Sequence, residues 1–193
     1  MNFNKKNTLI ILIAGKARSG KGEIASYLKD YFLKKEKKVI LSPYTKYLKR
    51  YIVEVTGKEF NDEDKPRDLL QKLSSDLIKK KLSNPNFFIN RQLEDLSFYS
   101  YFMDVVIIPD VRFEEEINKV KENFTNAVTI GVKRKNYLSI LTKEQQEDIT
   151  EIALDNYCNY DYKIENTSLE KLQLDVLKII KNLEKEGRIW IKS

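Results

Sequence analysis

Histidine is absent from this chain of 193 residues, and cysteine occurs once, as Cys158. The first absence excludes Ser-His and Cys-His nucleophile systems and every histidine-based metal site. The second excludes an intramolecular disulfide and a multi-thiolate zinc site. The chemistry left is carried by Lys, Arg, Asp, Glu and backbone amides. Phosphoryl transfer suits that set, because its catalysis is mostly positioning and charge stabilisation. Long apolar runs are lacking too. The longest, "LIILIA" at 9–14, is strand-sized, well short of the roughly 18 residues that suggest a membrane span. Lys5 and Lys6 precede it and no small-residue cleavage site follows. No signal peptide and no membrane partner are expected, and a cytoplasmic location is.

The length suits one domain with a real core. The formal net charge of +6 fits an anionic partner, nucleotide or nucleic acid. It fits equally well the solvated helix ends that "KKEKK" (34–38) and "KKK" (79–81) suggest. No interleaving of aromatic and basic residues supports nucleic-acid binding, which is not expected. There are no repeats and no low-complexity linker. The patterning alternates strand and helix: strands at 8–14, 39–42, 104–110, 127–132 and 162–166, and helices at 20–35, after 113 and at 168–185. Strands separated by helices imply a parallel five-stranded sheet covered on both faces. Two insertions interrupt it. A largely helical arm at 43–100 breaks near Gly57–Pro66 and at Asn84–Pro85, and a polar segment covers 133–158.

"GKARSGKGE", residues 15–23, reads as the phosphate-binding loop G-x-x-x-x-G-K-[ST] up to its last position, where Gly22 replaces the hydroxyl that binds Mg²⁺. A buried-type strand precedes it and an amphipathic helix with Ile24, Leu28, Tyr31 and Phe32 on one face follows, the context the motif requires. Gly15, Lys16, Ala17, Arg18, Ser19 and Gly20 would form a nest of backbone N–H groups for phosphate oxygens, and the helix N-terminus adds its positive dipole end. Lys21 would reach the β- and γ-phosphates. A glycine-rich turn that only joins strand to helix is the competing reading. Mg²⁺ usually keeps several waters, so the missing hydroxyl does not defeat the site. Glu23, in the first helical turn, makes either a dipole contact or an indirect metal contact.

"VVIIPDVRF" (105–113) closes an apolar strand with Asp110, the expected metal-serving carboxylate. Parallel neighbours would put it at the same sheet edge as the loop, with Arg112 facing the same crevice. In the arm, "KPRDLLQKLSSDLIKKK" (65–81) predicts a helix with Leu69, Leu70, Leu73, Leu77 and Ile78 as its apolar stripe. Arg67, Gln71 and Ser74 or Ser75 lie off that stripe, and an arginine and an amide one turn apart can hold a phosphate and a base edge, or simply face solvent. Arg91 is a weaker candidate. The aromatics Phe87, Phe88, Phe98, Tyr99, Tyr101 and Phe102 are read as core.

"GKARSGKGE", "SPYTKYLKRY", "KPRDLLQKLSSDLI", "IIPDVRFEEEI" and "TEIALDNYCNYDYKIENTSLEKL" occur in that order. Together they resemble the deoxynucleoside monophosphate kinase family over nearly the whole chain. The resemblance implies an adenylate-kinase-like P-loop NTPase α/β fold, ATP and Mg²⁺ as cofactors, and deoxynucleoside monophosphates as substrates. It implies that Lys21 and the loop amides take ATP phosphates, that Asp110 serves the metal, that Arg67, Gln71 and Arg112 hold the acceptor, and that Asn166 in "IENTS" lies near the adenine. The family loop usually continues Gly-Lys-Asp-Thr where this chain has Gly-Lys-Gly-Glu, and a His-x-Ser-Glu segment reads Asp148-Ile149-Thr150-Glu151 here. Residues 133–147 would be the closing lid, which normally supplies arginines to the transferring phosphoryl group; here they offer Arg134 with Lys133, Lys135 and Lys143.

The leading expectation is therefore ATP-dependent phosphorylation of a (deoxy)nucleoside 5′-monophosphate. A phosphomevalonate-type or other small-molecule kinase of the same fold, and a nucleotide-binding regulatory protein without turnover, stand as alternatives. The expected partners are small-molecule nucleotides, with a homodimer left open.

Overall fold

The computed structural model of the chain describes residues 4–57, 69–70, 72–135 and 149–190. Its strands are β1 (Leu9–Ala14), β2 (Val39–Leu41), β3 (Val105–Val111), β4 (Ala127–Arg134) and β5 (Tyr162–Asn166). They form the expected five-stranded sheet, every pair parallel, in the order β2-β3-β1-β4-β5. The described helices are α1 (Lys21–Lys34), α2 (Thr45–Thr56), α3 (Lys72–Lys81), α4 (Phe87–Tyr99), α5 (Glu114–Asn123), the single turn α6 (Ile149–Ile152) and α7 (Leu169–Lys185). This is an α/β P-loop NTPase architecture.

The central strand is apolar throughout because it has no wet face. All six residues of β1 are buried. Leu9, Ile11 and Ile13 meet α1 through Ile24, Ala25, Leu28 and Phe32, and α7 through Leu172, Val176, Ile180 and Leu183. On the other face lie Ile10 and Leu12, and α5, which packs against β4, buries Ile117 and Val120. Each such side chain contributes roughly 1.5–3 kcal/mol by leaving water, so the loop that follows β1 hangs from the most strongly held strand of the sheet.

The chain divides into two compact units, Met1–Pro43 with Leu96–Ser193, and Tyr44–Asp95. The sheet lies in the first. Within the second, α2 buries Leu48 and Ile52 and ends at Gly57 in left-handed geometry. Lys46 and Tyr47 both bind the Asp95 carboxylate. The Tyr51 and Phe87 rings stand 6.2 Å apart.

Three expectations are corrected. The helix over 72–81 is wound with the wide π-type turn, and the Leu82 N–H donates to Leu77 O five residues back at 2.9 Å. A stripe laid out at 3.6 residues per turn no longer lines up along it, and Ile78 is buried while Leu77 is exposed; ahead of the helix, Leu70 is buried and Leu69 exposed. Phe98 and Tyr101 are exposed rather than core, Phe98 stacking on Phe102 at 5.0 Å. Strand β4 runs on to Arg134, because Lys133 pairs with Glu165 and Arg134 with Asn166 on β5; these two residues belong to the sheet and not to the segment read as a lid. Residues 136–148 of that segment, Lys143 included, lie outside the described residues.

Candidate active site

The chain leaves β1 at Gly15, which has φ 150°, and a Cβ there would sit 2.3 Å from Val132 O on β4. Only glycine lets the loop turn that close to the neighbouring strand. The loop closes through the Ser19 N–H, which donates to Lys16 O at 3.2 Å. Gly20, at φ 107°, begins α1, and a Cβ on it would meet Asn166 Nδ2 at 2.5 Å. That amide donates to Ser19 O at 2.9 Å, so Asn166 pins the loop from the end of β5. Arg134 reaches Arg18 O from the end of β4 at 3.3 Å.

Lys21 folds back into the loop it follows. Its Nζ donates to Gly15 O at 2.6 Å and to Lys16 O at 2.7 Å, and the residue is buried. Burial, and next the Arg112 guanidinium, push its pKa down to about 7, against the opposing pull of Glu151 and Asp110. Ser19 Oγ is buried and has no hydrogen-bond partner among the described residues. Gly22 and Glu23 are exposed on the first turn of α1, and the space where a Gly22 Cβ would stand is open.

The second element comes from β3, the parallel neighbour of β1. Their register slips between Leu12, which faces Ile108, and Ala14, which faces Val111. The slip falls at Pro109, beyond the Ile107 that pairs with the last residue of β2. A proline inside a strand belongs at such a bulge, since it has no N–H for the ladder. The bulge turns the strand end so that Asp110 acts electrostatically on Lys21 and Arg112 meets the loop, its Nη1 3.4 Å from Gly15 O. The turn after β3 is held by Glu116, whose buried carboxylate accepts from the N–H of Arg112 at 2.7 Å and of Phe113 at 3.1 Å.

A third element was not read from the sequence as part of the site. Glu151, on α6, accepts from the Ala17 N–H at 2.7 Å through Oε2 and from Arg112 Nη1 at 2.8 Å through Oε1. One turn on, Asp155 pairs with Lys16 Nζ at 2.8 Å. The only sequence signal was the match of Thr150-Glu151 to a family Ser-Glu pair, which carried no role. The loop opens on a cleft of about 1170 Å³ that runs past Arg112 and Glu151 to Gly131, Tyr160 and Lys163. The Tyr160 ring lies on Gly131, where a Cβ would come within 2.5 Å of it.

The structure thus gathers Gly15 to Lys21, Asp110, Arg112, Arg134 and Asn166 around one loop. Arg67 and Gln71 lie outside the described residues. Arg91 sits in the other unit, its guanidinium 5.7 Å from the Phe87 ring centre.

No family model and no curated protein matches the chain. Solved structures do. The chain is similar to the APS kinase CysC of Mycobacterium tuberculosis, solved with AMPPNP and APS, at 10% identity and TM-score 0.53, over 91% of this chain and 99% of that one. It is similar also to a hexameric APS kinase from Thiobacillus denitrificans, at 14% identity and TM-score 0.53, over 97% of this chain and 31% of that one. Likeness at these identities establishes the fold alone, an α/β P-loop NTPase fold.

Proposed function

We propose that this chain is an ATP-dependent kinase whose acceptor is itself a phosphate, a (deoxy)nucleoside 5′-monophosphate converted to the diphosphate. The observation that carries the reading is the convergence on one loop of Lys21 from α1 and Arg112 from the end of β3. A phosphoryl-transfer site needs cationic groups on both sides of the moving group. Lys21 and the loop amides suit the donor phosphates, with Arg134 and Asn166 beside them at the ends of β4 and β5. Arg112 suits the acceptor phosphate. An acceptor phosphate oxygen attacks the γ-phosphorus, the bond to the bridging oxygen breaks, and ADP leaves.

The lack of histidine supports a phosphate acceptor. Such an oxygen is already anionic near neutral pH and needs no strong base, whereas an alcohol usually wants one. The APS kinase of this fold that is held with AMPPNP and APS binds nucleotides, in keeping with a nucleotide donor here.

Mg²⁺ fits the residues present. No cluster of three or more metal-ligating side chains occurs among the described residues, but Mg²⁺ in kinases is commonly held by one or two carboxylates, waters and the substrate phosphates. Asp110 supplies the carboxylate, and the buried, unpartnered Ser19 hydroxyl leaves a polar group in the loop for a water or a phosphate oxygen. The ion would neutralise charge on the transferring group.

The test is ADP release measured across the four deoxynucleoside monophosphates, their ribonucleotide counterparts and phosphomevalonate. Turnover with a nucleotide, lost in Lys21→Ala, is the expected result. Turnover with phosphomevalonate alone would replace the nucleotide by another phosphate acceptor, and none with any would leave a nucleotide-binding protein without catalysis.

A further inference from the structure

We infer that Glu151 is an internal competitor for substrate phosphate, a carboxylate seated on the phosphate-binding groups that the ligand must displace. The inference rests on the reading of residues 15–21 as a phosphate loop.

Two donors that this reading assigns to phosphate are already engaged. The Ala17 N–H and Arg112 Nη1 both point at the Glu151 carboxylate, one to each oxygen, at 2.7 and 2.8 Å. A carboxylate spanning a loop amide and a guanidinium reproduces what two oxygens of a phosphate would do there. The placement is enclosed: the Glu151 side chain is 10% exposed and that of Arg112 25%. The same segment brings a second carboxylate, Asp155, onto Lys16 Nζ at 2.8 Å. Both anions come from one short stretch, the single turn Ile149–Ile152 and the residues after it, where the Ala153 N–H donates to Ile149 O and the Asp155 N–H to Ile152 O. So short a helix is little held by its own hydrogen bonds. Its seat draws on the two ion pairs, on the amide of Ala17 and on Thr150 O, which accepts from Arg112 Nη1 at 3.4 Å, and a polyphosphate would compete for each of those donors. Binding and release of this segment are therefore one exchange, and the affinity for phosphate is lowered by the fraction of chains in which Glu151 is seated.

A shorter side chain that keeps its charge separates occupancy from mere repulsion. Calorimetric titration of the full chain with inorganic tripolyphosphate, without metal, would compare wild type, Glu151→Gln and Glu151→Asp. Aspartate retains the negative charge but cannot span both donors from the same backbone. Both variants are expected to bind roughly five- to tenfold more tightly than wild type. If Glu151→Asp bound as wild type does, only charge would be at work and the inference would fall. If Glu151→Gln bound more weakly, Glu151 would be holding Arg112 in place for the ligand, and the inference would fall again. Hydrogen exchange on the wild-type chain gives a second reading that needs no variant. Tripolyphosphate should protect residues 15–21 and speed exchange at 149–155, and protection of both segments would overturn displacement. No binding to any of the three proteins would remove the phosphate-loop reading itself, and this inference with it.

Discussion

Lys21 should take up a proton when nucleotide binds. Its amine lies buried beneath the loop and beside the Arg112 guanidinium, and its pKa is pushed from 10.5 down to about 7. At 1.36 kcal/mol per unit, holding that amine charged in the folded chain costs roughly 5 kcal/mol relative to the unfolded one. Between pH 7 and 10.5 the folded chain binds fewer protons on this group than the unfolded chain. Its contribution to stability therefore rises with pH across that window, and below about pH 7 the cost is complete. Donor phosphates reverse the balance, because their negative charge takes the place of the Glu151 carboxylate, adds to that of Asp110 and outweighs burial and the Arg112 guanidinium. At pH 8 an amine with a pKa near 7 is about one-tenth charged, so full charging on binding takes up about 0.9 proton per nucleotide. Calorimetry of ATP binding in buffers of different ionisation enthalpy measures that number directly. It should fall towards zero in Lys21→Met and shrink at pH 6, where the amine is already mostly charged. Uptake near zero at pH 8 in the wild-type chain would refute the argument, as would equal uptake in Lys21→Met.

Gly22→Ser places a hydroxyl where the space for a Cβ is open. It should lower the Mg²⁺ concentration for half-maximal rate, and raise stability by about 0.5 kcal/mol through helix propensity, read from the magnesium dependence of turnover and a denaturant titration. Arg112→Lys keeps the charge and loses the two-pronged geometry. It should cost about tenfold or more in kcat/KM for the acceptor while sparing the apparent affinity for ATP, and steady-state kinetics in both substrates would show the reverse if the two sides were exchanged.

The parts of this fold that were legible in the sequence are those written in local pattern. The run at Leu9–Ala14 reads as a strand because six apolar residues ahead of a glycine are too short for a buried helix and suit a strand covered on both faces, where all six are buried. Gly15, Gly20 and Lys21 read as a phosphate loop because the spacing belongs to a single turn. What failed depends on neighbours. Arg134 ends β4 because β5 lies alongside it, and nothing in "KRKN" announces a strand. The bulge at Pro109 is a mismatch of register between β1 and β3, visible only once the two are paired. Glu151 touches Ala17 across 134 positions of sequence, a distance over which charge pattern carries no signal. The wide winding of α3 likewise leaves Leu77 at the surface, although its apolar character alone reads as core.

Glu116 shows how such an illegible contact bears on the chemistry. In "DVRFEEEI" it is one of three glutamates that any reader would place at a helix start for its dipole. Glu114 and Glu115 are exposed there, while Glu116 is buried with its carboxylate on the N–H groups of Arg112 and Phe113. It therefore fixes the backbone from which the Arg112 side chain departs. Removing it in Glu116→Ala leaves two N–H groups short of an acceptor, at about 1–3 kcal/mol each. Glu116→Gln keeps an oxygen in nearly the same place but drops the charge that strengthens both bonds. Denaturant titration should thus rank wild type above Glu116→Gln and Glu116→Ala lowest. A purely structural residue would stop there. A positioning residue also lowers kcat/KM for the acceptor in the folded Glu116→Gln chain, by several-fold, with the apparent affinity for ATP unchanged, because Lys21 and the loop amides do not rest on this turn. If Glu116→Gln lost stability but left the acceptor kinetics untouched, Arg112 would owe its place to Glu151 and the loop carbonyl instead, and the turn would be only a cap on α5.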